Sequence, residues 1–294
     1  MKVLVTGASG FIGCNVVHGL AGLADIYVTS VSQENPLPAA CHVVAGERWP
    51  AVDAVIHLAA NNDTQCSDEE AMFAANVYQP IKMFQALADK GCRQFIWSSS
   101  TAVYGNSPPP YHEDKTPLSP VTPYSRSKAA FEEYTHGIFT NKYPQAKITT
   151  LRLCNVYGPG EGHKGNRMSM VGQMIRQAMR GGTVKLFAPG NQMRDWVWVA
   201  DVVRVVQTCL LQRKVGVFNV GTGQAMTFNG IYWNIMYELG MNDLPEYVPN
   251  PFAETYQTHT CCDITKLKSS IVDWHLCDVP SGIRQYIQHL KEKL

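Results

Sequence analysis

Short apolar and β-branched segments alternate with longer helix-like segments along the first half of the chain. The strand-like segments are residues 2–6, 26–31, 53–58, 94–98 and 148–153. Runs of this length, separated by helical stretches, are typical of parallel strands joined by crossover helices. The alternation therefore predicts an α/β fold, a Rossmann-like doubly wound parallel sheet.

The second half of the chain mixes further strand candidates with helices. Strands are predicted at 184–187 and 216–220, and helices at 168–180, 228–239 and 281–293. We predict a dinucleotide-binding domain over residues 1–158. The chain is predicted to return to this domain at about residues 195–222 and to add a strand and a helix to it. The remaining segments, 159–194 and 223–294, are predicted to form a small, mostly helical substrate-binding lobe.

Two stretches interrupt this pattern. Between residues 31 and 53 the chain is too short for a full crossover helix followed by a strand of normal length, so this connection is predicted to be abbreviated. Residues 106–123 hold six of the 17 prolines and are predicted to be neither regular helix nor central strand. This second stretch is either a stiff surface linker or an ordered functional loop.

Composition adds limits on location and partners. The chain has 294 residues, 45% hydrophobic and 17% charged, with a net charge of +1, which predicts a compact protein without a general attraction for nucleic acid or an acidic membrane surface. Nine cysteines without a CxxC pair indicate reduced thiols, and predict neither a disulfide framework nor a metal site. A strand that starts at once leaves no room for a signal peptide, so we expect a cytoplasmic protein. The even charge balance favours a small-molecule partner, and we also expect a homo-oligomer.

A glycine-rich turn follows the first predicted strand and opens a helix. Gly7 permits a tight turn, Gly10 lets the backbone approach a diphosphate, and Gly13 lets the helix pack on the strand. The helix N-terminus then faces the phosphates, so this turn predicts dinucleotide binding.

The end of the second strand bears on the choice of cofactor. Ser30 stands where an acidic residue usually holds the adenine ribose, and Glu34 comes a little late. Loss of the carboxylate removes repulsion against a 2′-phosphate, but no Arg or Lys lies close in sequence to bind that phosphate. The sequence allows either NAD or NADP as a tightly bound cofactor, and the missing carboxylate favours NADP.

A Tyr-x-x-x-Lys pair marks the chemical end of the predicted site. Tyr124 and Lys128 lie one turn apart at the start of a helix, and Ser100 ends a serine run at the carboxyl end of a strand. Oxidation of a secondary alcohol needs a base, and a phenol ionises near neutral pH only when positive charge stabilises its phenolate. We predict that Tyr124 is this base, with Lys128 supplying charge and Ser100 orienting the substrate oxygen.

In combination, the motifs GASGFIG, IHLAA, SSSTAVYG, YSRSK and NVYGP resemble the extended short-chain dehydrogenase/reductase family, in particular its sugar-nucleotide epimerases. The resemblance covers nearly the whole chain and implies a nucleotide-diphosphate sugar as substrate. It places these residues at the cofactor: Phe11, Ile12, Leu58, Ala59, Ala60, Asn76 and Val156, beside the three glycines, Tyr124 and Lys128.

The segment EGHKG narrows the resemblance to the ADP-L-glycero-D-manno-heptose 6-epimerases, which use a lysine in this motif. It implies Lys164 as a second proton carrier, and Asn155, Phe187, Arg194 and Tyr256 as substrate contacts. Asn166 and Gln173 replace a serine and a histidine usual in this group, so their sugar or phosphate contacts are expected to differ. His163 either contacts sugar or phosphate or is a solvated surface histidine.

Two proton carriers have a geometric reason. Inverting a carbinol carbon requires hydride to leave and return on opposite faces while the nicotinamide stays fixed, so the ketone must turn over and present its oxygen to another acid. Thr101-Ala102 argues against dehydratases and decarboxylases, whose loops carry acidic residues there. UDP-hexose 4-epimerase, nucleotide-sugar 4-keto reductase and a non-catalytic NADP-binding module stay open as alternatives.

Overall fold

A computed structural model describes residues 1–29, 32–33, 35–63, 66–251, 257–271 and 276–293. Its strands are β1 (Lys2–Thr6), β2 (Asp25–Val28), β3 (His42–Val43), β4 (Ala54–His57), β5 (Gln94–Ser100), β6 (Lys147–Leu153), β7 (Asn155–Tyr157), β8 (Lys185–Phe187), β9 (Met193–Trp198), β10 (Gly216–Val220), β11 (Ala225–Thr227) and β12 (Glu246–Val248). Its helices are α1 (Phe11–Leu20), α2 (Glu69–Phe73), α3 (Gln79–Asp89), α4 (Pro123–Tyr134), α5 (Thr140–Lys142), α6 (Met170–Met179), α7 (Val199–Leu211), α8 (Phe228–Leu239), α9 (Thr265–Ser270) and α10 (Val279–Lys291). Ala74–Tyr78 and Thr135–Phe139 form π turns, and Thr101–Tyr104 and Gly162–Arg167 form 3₁₀ turns.

Seven parallel strands form the main sheet in the order β10-β6-β5-β4-β1-β2-β3. This confirms the predicted doubly wound parallel sheet. The strand order reverses between β1 and β4, and at such a point the carboxyl ends of the strands leave a crevice for ligands. Smaller sheets join β11, β9 and β7, and β12 with β8, so β9 lies outside the main sheet while β10 completes it.

Both faces of the main sheet are buried, as expected for parallel strands covered by helices. Along β1, Val3 and Val5 belong to one apolar cluster and Leu4 to the cluster on the other face. A third cluster joins α6, α8 and α10 around Trp196 and Trp198 of β9. Among the described residues, no helix combines the length and apolar character that crossing a bilayer requires.

The serine run after Trp97 continues the strand instead of leaving it. The predicted strand stopped at residue 98, whereas β5 runs through Ser100 because β6 pairs with it along its whole length. In the described part of residues 32–51, the connection from β2 to β4 holds only the two-residue strand β3 and no helix, which agrees with its predicted shortness.

The proline-rich segment is an ordered loop. Its Tyr111 is buried and stacks on Tyr104, with ring centroids 4.5 Å apart. The backbone N–H of Tyr111 donates to the carbonyl of Cys261 at 2.8 Å, so the loop packs against the distant segment around residue 261. The last proline, Pro123, begins α4.

Candidate active site

A groove follows the carboxyl edge of the main sheet and consists of two adjoining cavities, of about 470 and 370 Å³. The larger cavity reaches toward β9, and the smaller one lies over the glycine-rich turn. Both are lined by Phe11, Ile12, Leu58, Ala60, Asn62, Lys164 and Arg167. A ligand as long as a dinucleotide can therefore span the two cavities.

The glycine-rich turn is tightly packed. Gly7 has φ +69°, and a Cβ added there would lie 2.6 Å from the backbone N of Ala59. A Cβ on Gly13 would lie 2.0 Å from the carbonyl oxygen of Gly7, so only glycine allows α1 to approach β1 this closely. Gly10 precedes α1 as its N-cap, and no described side chain caps this end of the helix.

The predicted cofactor residues of this loop line the smaller cavity. They are Gly7, Gly10, Phe11, Ile12, Gly13, Leu58, Ala59 and Ala60. Val156 lines the larger cavity. Backbone N–H groups at an uncapped helix N-terminus bind anions well, so the loop fits a dinucleotide diphosphate.

Asn76 lies behind the wall of the groove and lines neither cavity. Its buried side chain accepts a hydrogen bond from the N–H of Asn61 at 2.8 Å and donates to the Asn61 carbonyl at 2.9 Å. It also donates to the hydroxyl of Ser127 at 3.0 Å. Asn76 thus fixes the backbone of Asn61 in the turn after β4. The residue that follows Asn61, Asn62, lines both cavities.

A third cavity, of about 270 Å³, adjoins the smaller one at Ala59. It is lined by Thr6, Thr29, Glu47, Trp49, His57, Ala59, Ala75, Gln79, Pro80, Lys82 and Met83. Thr29 follows β2, where the adenine ribose of a bound dinucleotide is expected. Ser30, predicted to contact this ribose, and Tyr256, predicted to contact substrate, lie outside the described residues.

The predicted catalytic trio meets in the larger cavity. α4 begins with a capping box between Thr122 and Ser125, which fixes its first turn and hence the positions of Tyr124 and Lys128. Tyr124 forms a side-chain hydrogen bond with Ser100, the last residue of β5. The structure therefore brings Ser100, Tyr124 and Lys128 to one wall of the cavity.

The environment of this trio disfavours charge. Burial lowers the pKa of Lys128 to about 8, and the nearby Glu132 carboxylate opposes that shift. The ammonium donates to the Ser98 carbonyl at 2.9 Å and lies 5.9 Å from the centroid of the Tyr124 ring. Burial raises the pKa of Tyr124, and the Ser100 hydrogen bond only partly offsets it. Tyr124 therefore needs the Lys128 charge, and further positive charge nearby, to act as a base.

Lys164 lies on the 3₁₀ turn before α6 and lines the same groove. Its Nζ lies 5.8 Å from the centroid of the Phe11 ring at the start of α1. Burial lowers the pKa of Lys164, Glu161 opposes this, and Arg167 lowers the pKa further. A lysine in such surroundings can exchange a proton closer to neutral pH than a solvated one.

Hydrogen bonds anchor the loop that carries Lys164. Asn15 on α1 donates to the Pro159 carbonyl at 2.9 Å. Asn35 donates to the carbonyls of Ser9 and Gly160, at 3.0 and 3.2 Å. The loop is thereby joined both to α1 and to the glycine-rich turn.

The predicted substrate contacts divide into two sets. Asn155 and Arg194 line the larger cavity, and His163 lines the smaller one. Asn166, Gln173 and Phe187 line neither. Gln173 instead donates to the carbonyls of Asn166 and Met168, at 3.1 and 2.9 Å, so it shapes the turn that follows Lys164.

Sequence reasoning assigned no site role to several residues of the cavity walls. They are Asn62, Ser98, Ser99, Leu153, Cys154, Arg167, Met168, Ser169, Met170, Trp196 and Phe228. Of these, Arg167 adds a cation to both cavities, and a second basic residue three positions after Lys164 is a signal that the sequence does offer. Ser98 and Ser99 belong to the serine run that the sequence already marks, whereas lining by residues such as Met170, Trp196 and Phe228 depends on how distant segments pack.

Comparison with known proteins agrees with this geometry. The sequence pattern of the NAD dependent epimerase/dehydratase family matches residues 3–221. The chain belongs to this family. It is 34% identical to the ADP-L-glycero-D-manno-heptose-6-epimerase of Alkalilimnicola ehrlichii, over 97% of this chain and 96% of the relative. The enzyme of the same name from Brachyspira hyodysenteriae is 30% identical, over 99% of this chain and 98% of the relative.

Solved structures of family members superpose closely on this epimerase-family chain. Helicobacter pylori ADP-L-glycero-D-manno-heptose-6-epimerase gives a TM-score of 0.85 at 29% identity, covering 99% of this chain and 96% of that one. UDP-glucose 4-epimerase of Thermotoga maritima, solved with UDP-glucose, gives 0.87 at 26% identity, covering 100% and 99%. The family and fold predicted from the sequence are confirmed.

Proposed function

We propose that this chain is an epimerase that inverts a carbinol carbon of a nucleotide-diphosphate sugar, and specifically an ADP-glycero-manno-heptose 6-epimerase. One observation carries the proposal: Tyr124 and Lys164 come from separate elements and line the same cavity. A one-base reaction does not require the second group. The names of the sequence relatives support the choice of a heptose.

The groove residues fit a nicotinamide dinucleotide, which when bound takes up hydride from the carbinol carbon and returns it. The uncapped N-terminus of α1 and the Gly7 to Gly13 turn would hold the diphosphate. The third cavity would hold the adenosine, since it begins where β2 ends. Lys82 in that cavity supports NADP, because its cation suits a 2′-phosphate, whereas Glu47 there suits the ribose of NAD.

Tyr124 would handle the proton of the first half-reaction. Ser100 orients the substrate hydroxyl toward Tyr124, and Lys128 stabilises the phenolate that accepts the proton. Because burial lowers the pKa of Lys128 to about 8, this assistance depends on the ammonium being retained near neutral pH. Its hydrogen bond to the Ser98 carbonyl holds the charge in place.

Lys164 would handle the proton of the second half-reaction. After the ketone turns over, its oxygen no longer faces Tyr124 and needs a donor on the other side of the cavity. The pKa of Lys164 lies below that of an ordinary lysine, which makes its ammonium a better proton donor. Arg194 and Asn155, which line the same cavity, would hold the diphosphate and sugar.

UDP-hexose 4-epimerase is the second candidate. The similarity to Thermotoga maritima UDP-glucose 4-epimerase favours it, and the trio of Ser100, Tyr124 and Lys128 would suffice for one-base chemistry. In that case Lys164 would serve as a phosphate ligand, since it also lines the cavity over the glycine-rich turn.

The test incubates the protein with ADP-D-glycero-D-manno-heptose and, separately, with UDP-galactose, and follows C6 or C4 configuration by NMR. We expect inversion at C6. Tyr124→Phe and Lys164→Met should each slow inversion roughly 10²- to 10⁴-fold, the range for general acid–base groups. Lys164→Met keeps Tyr124 and should therefore still oxidise the starting epimer. The reduced cofactor should then accumulate on the protein.

Lys142→Met provides the control, because Lys142 is exposed on α5 and lines none of the three cavities. Cofactor binding is measured on every variant by titration calorimetry, so that loss of cofactor is not mistaken for loss of proton transfer. Inversion at C4 of UDP-galactose with full activity in Lys164→Met would replace the proposal by the 4-epimerase. Cofactor binding without turnover of either sugar would replace it by the non-catalytic binding module.

A further inference from the structure

Two cysteines that are distant in sequence meet beside the larger cavity. Cys154, between β6 and β7, has its Sγ 2.9 Å from the Sγ of Cys262, which is buried. Asp195 of β9 completes the cluster, with the sulfur and carboxylate atoms of the three residues within 4.8 Å of one another. Cys154 is partly exposed and lines the cavity.

The Asp195 carboxylate is already occupied by protein donors. Its Oδ1 accepts from the N–H and the hydroxyl of Thr222, each at 2.7 Å. Its Oδ2 accepts from the N–H of Gly223 at 3.0 Å and that of Cys262 at 3.2 Å. With both oxygens satisfied, Asp195 is a poor ligand for a metal ion, and the two thiols are left to interact with each other.

The backbone around the two sulfurs is fixed. The segment before Cys262 pairs with the start of β9: Met193 N–H donates to the Thr258 carbonyl at 2.8 Å, and Thr260 N–H donates to the Met193 carbonyl at 3.1 Å. On the other side, a Cβ added to Gly221 would lie 2.6 Å from the Cys154 sulfur. Gly221 thus leaves the space that the Cys154 thiol occupies, and β9 holds Cys262 against it.

We propose that Cys154 and Cys262 form a reversible disulfide at the wall of the substrate cavity, made by a peroxide that enters through that cavity. The Cys154 thiol and hydrogen peroxide give a sulfenic acid and one water. The Cys262 thiol then attacks that sulfur, forming the S–S bond and releasing a second water. In total, two thiols lose two electrons and two protons, and the peroxide is reduced to two waters.

Both the rate and the route of this oxidation follow from the surroundings. Burial raises the pKa of both thiols, so thiolate is scarce at neutral pH and oxidation is slow. Below those pKa values the thiolate fraction grows about tenfold per pH unit, so the rate should rise about tenfold from pH 7 to pH 8. Because Cys154 lines the cavity that also holds Asn155 and Arg194, ligands there should shield it.

The bond would also change the cavity. A disulfide brings the sulfurs from 2.9 Å to about 2.05 Å, so the two side chains must move toward each other by a fraction of an ångström. Asn155 is the neighbour of Cys154 in the chain and lines the same cavity. We therefore expect the oxidised protein to lose substrate turnover, and a thiol reductant to restore it.

The test treats the reduced full-length protein with hydrogen peroxide, blocks remaining thiols with N-ethylmaleimide and maps non-reduced peptides by mass spectrometry. We expect one cross-linked peptide pair joining Cys154 to Cys262, absent after dithiothreitol and absent in Cys262→Ser. The pair should persist in Cys261→Ser, which separates it from a link to the adjacent cysteine. It should also persist in Cys277→Ser, which removes a cysteine outside the cluster.

Ligand protection provides the second measurement. Saturating NADP together with ADP, used as probes of the groove, should slow formation of the Cys154–Cys262 peptide. A link between Cys261 and Cys262, or Cys154 recovered only as the maleimide adduct or as sulfinic acid, would overturn the proposal. If the rate of disulfide formation is the same with and without the two nucleotides, peroxide does not reach Cys154 through the cavity.

Discussion

The Glu161 carboxylate accepts hydrogen bonds from both the backbone N–H and the hydroxyl of Ser169, at 2.6 and 2.7 Å. Ser169 is the N-cap of α6, and Glu161 directly precedes the 3₁₀ turn that carries Lys164. The carbonyl of Glu161 also accepts the N–H of Lys164 at 3.0 Å. The fully buried Glu161 therefore ties both ends of the Lys164 turn together.

Glu161→Gln should loosen this turn. The glutamine side chain has only one acceptor oxygen, so its NH₂ group must either point at a Ser169 donor or make the Ser169 hydroxyl turn and accept a hydrogen bond. Losing one good hydrogen bond in this way should lower the free energy of unfolding by about 1–3 kcal/mol. Loss of the Glu161 charge removes the influence that raises the pKa of Lys164, so that pKa should fall further. Urea unfolding and the pH profile of turnover check the two effects.

Glu133→Gln is the matched control, since Glu133 is exposed on α4. It should leave both measurements unchanged. If Glu161→Gln behaves like this control, the carboxylate does not hold the turn.

Arg167→Met should weaken cofactor binding. Arg167 lines both cavities of the groove, including the one over the glycine-rich turn. If that turn holds the diphosphate, loss of Arg167 should lower NADP affinity roughly tenfold, about one charge-assisted hydrogen bond. The variant also removes a charge that lowers the pKa of Lys164, so that pKa should rise. Titration calorimetry at low and high salt measures the affinity, with Arg180→Met, on the exposed end of α6, as control. Equal affinities for the two variants would exclude Arg167 from the phosphate site.

Lys82→Ala should change the preference of the protein between NADP and NAD. If the cavity around Thr29 holds the adenosine, the Lys82 cation favours a 2′-phosphate, and its loss should reduce affinity for NADP more than for NAD. Dissociation constants for both cofactors check this, with Lys291→Ala near the exposed end of α10 as control. An equal loss for NAD and NADP would show that Lys82 does not discriminate between them.

His57 should make the protein acid-sensitive. Burial, and then the Lys128 charge, lower the pKa of His57 from 6.5 to about 3, and its Nδ1 lies 2.7 Å from the Thr6 hydroxyl. Between these pKa values the unfolded chain binds a proton that the folded chain does not. The stabilisation is thus complete above pH 6.5 and is lost as the pH falls toward 3.

His57→Asn removes this titration. The free energy of unfolding should then depend less on pH between 6 and 4, by up to about 1.4 kcal/mol per pH unit for one proton. Urea unfolding at several pH values measures the slope, and His259→Asn at an exposed position serves as control. Equal slopes for wild type and His57→Asn would show that His57 is protonated in the folded protein as readily as in the unfolded chain.

The groove shows how far short motifs carry a prediction. The Gly7 to Gly13 turn and the capping box of α4 depend on residues within a few positions of one another. Local pattern was therefore enough to predict the glycine turn and the helix that carries Tyr124 and Lys128. Asn76 was linked to the cofactor through resemblance alone. Its hydrogen bonds to Asn61 and Ser127 show that it supports the groove from behind.

The sequence by itself determined the alternation of strands and helices, the glycine turn and the spacing of the helical tyrosine and lysine, because each depends on steric and hydrogen-bonding rules between near neighbours. Only the tertiary structure decided which distant side chains share a cavity. It brought Lys164 to Phe11, placed Arg167 over both cavities, kept Gln173 and Phe187 out of them, and set Cys154 against Cys262. These contacts depend on how β9, α6 and the C-terminal segment pack on the sheet, and no local pattern encodes that packing.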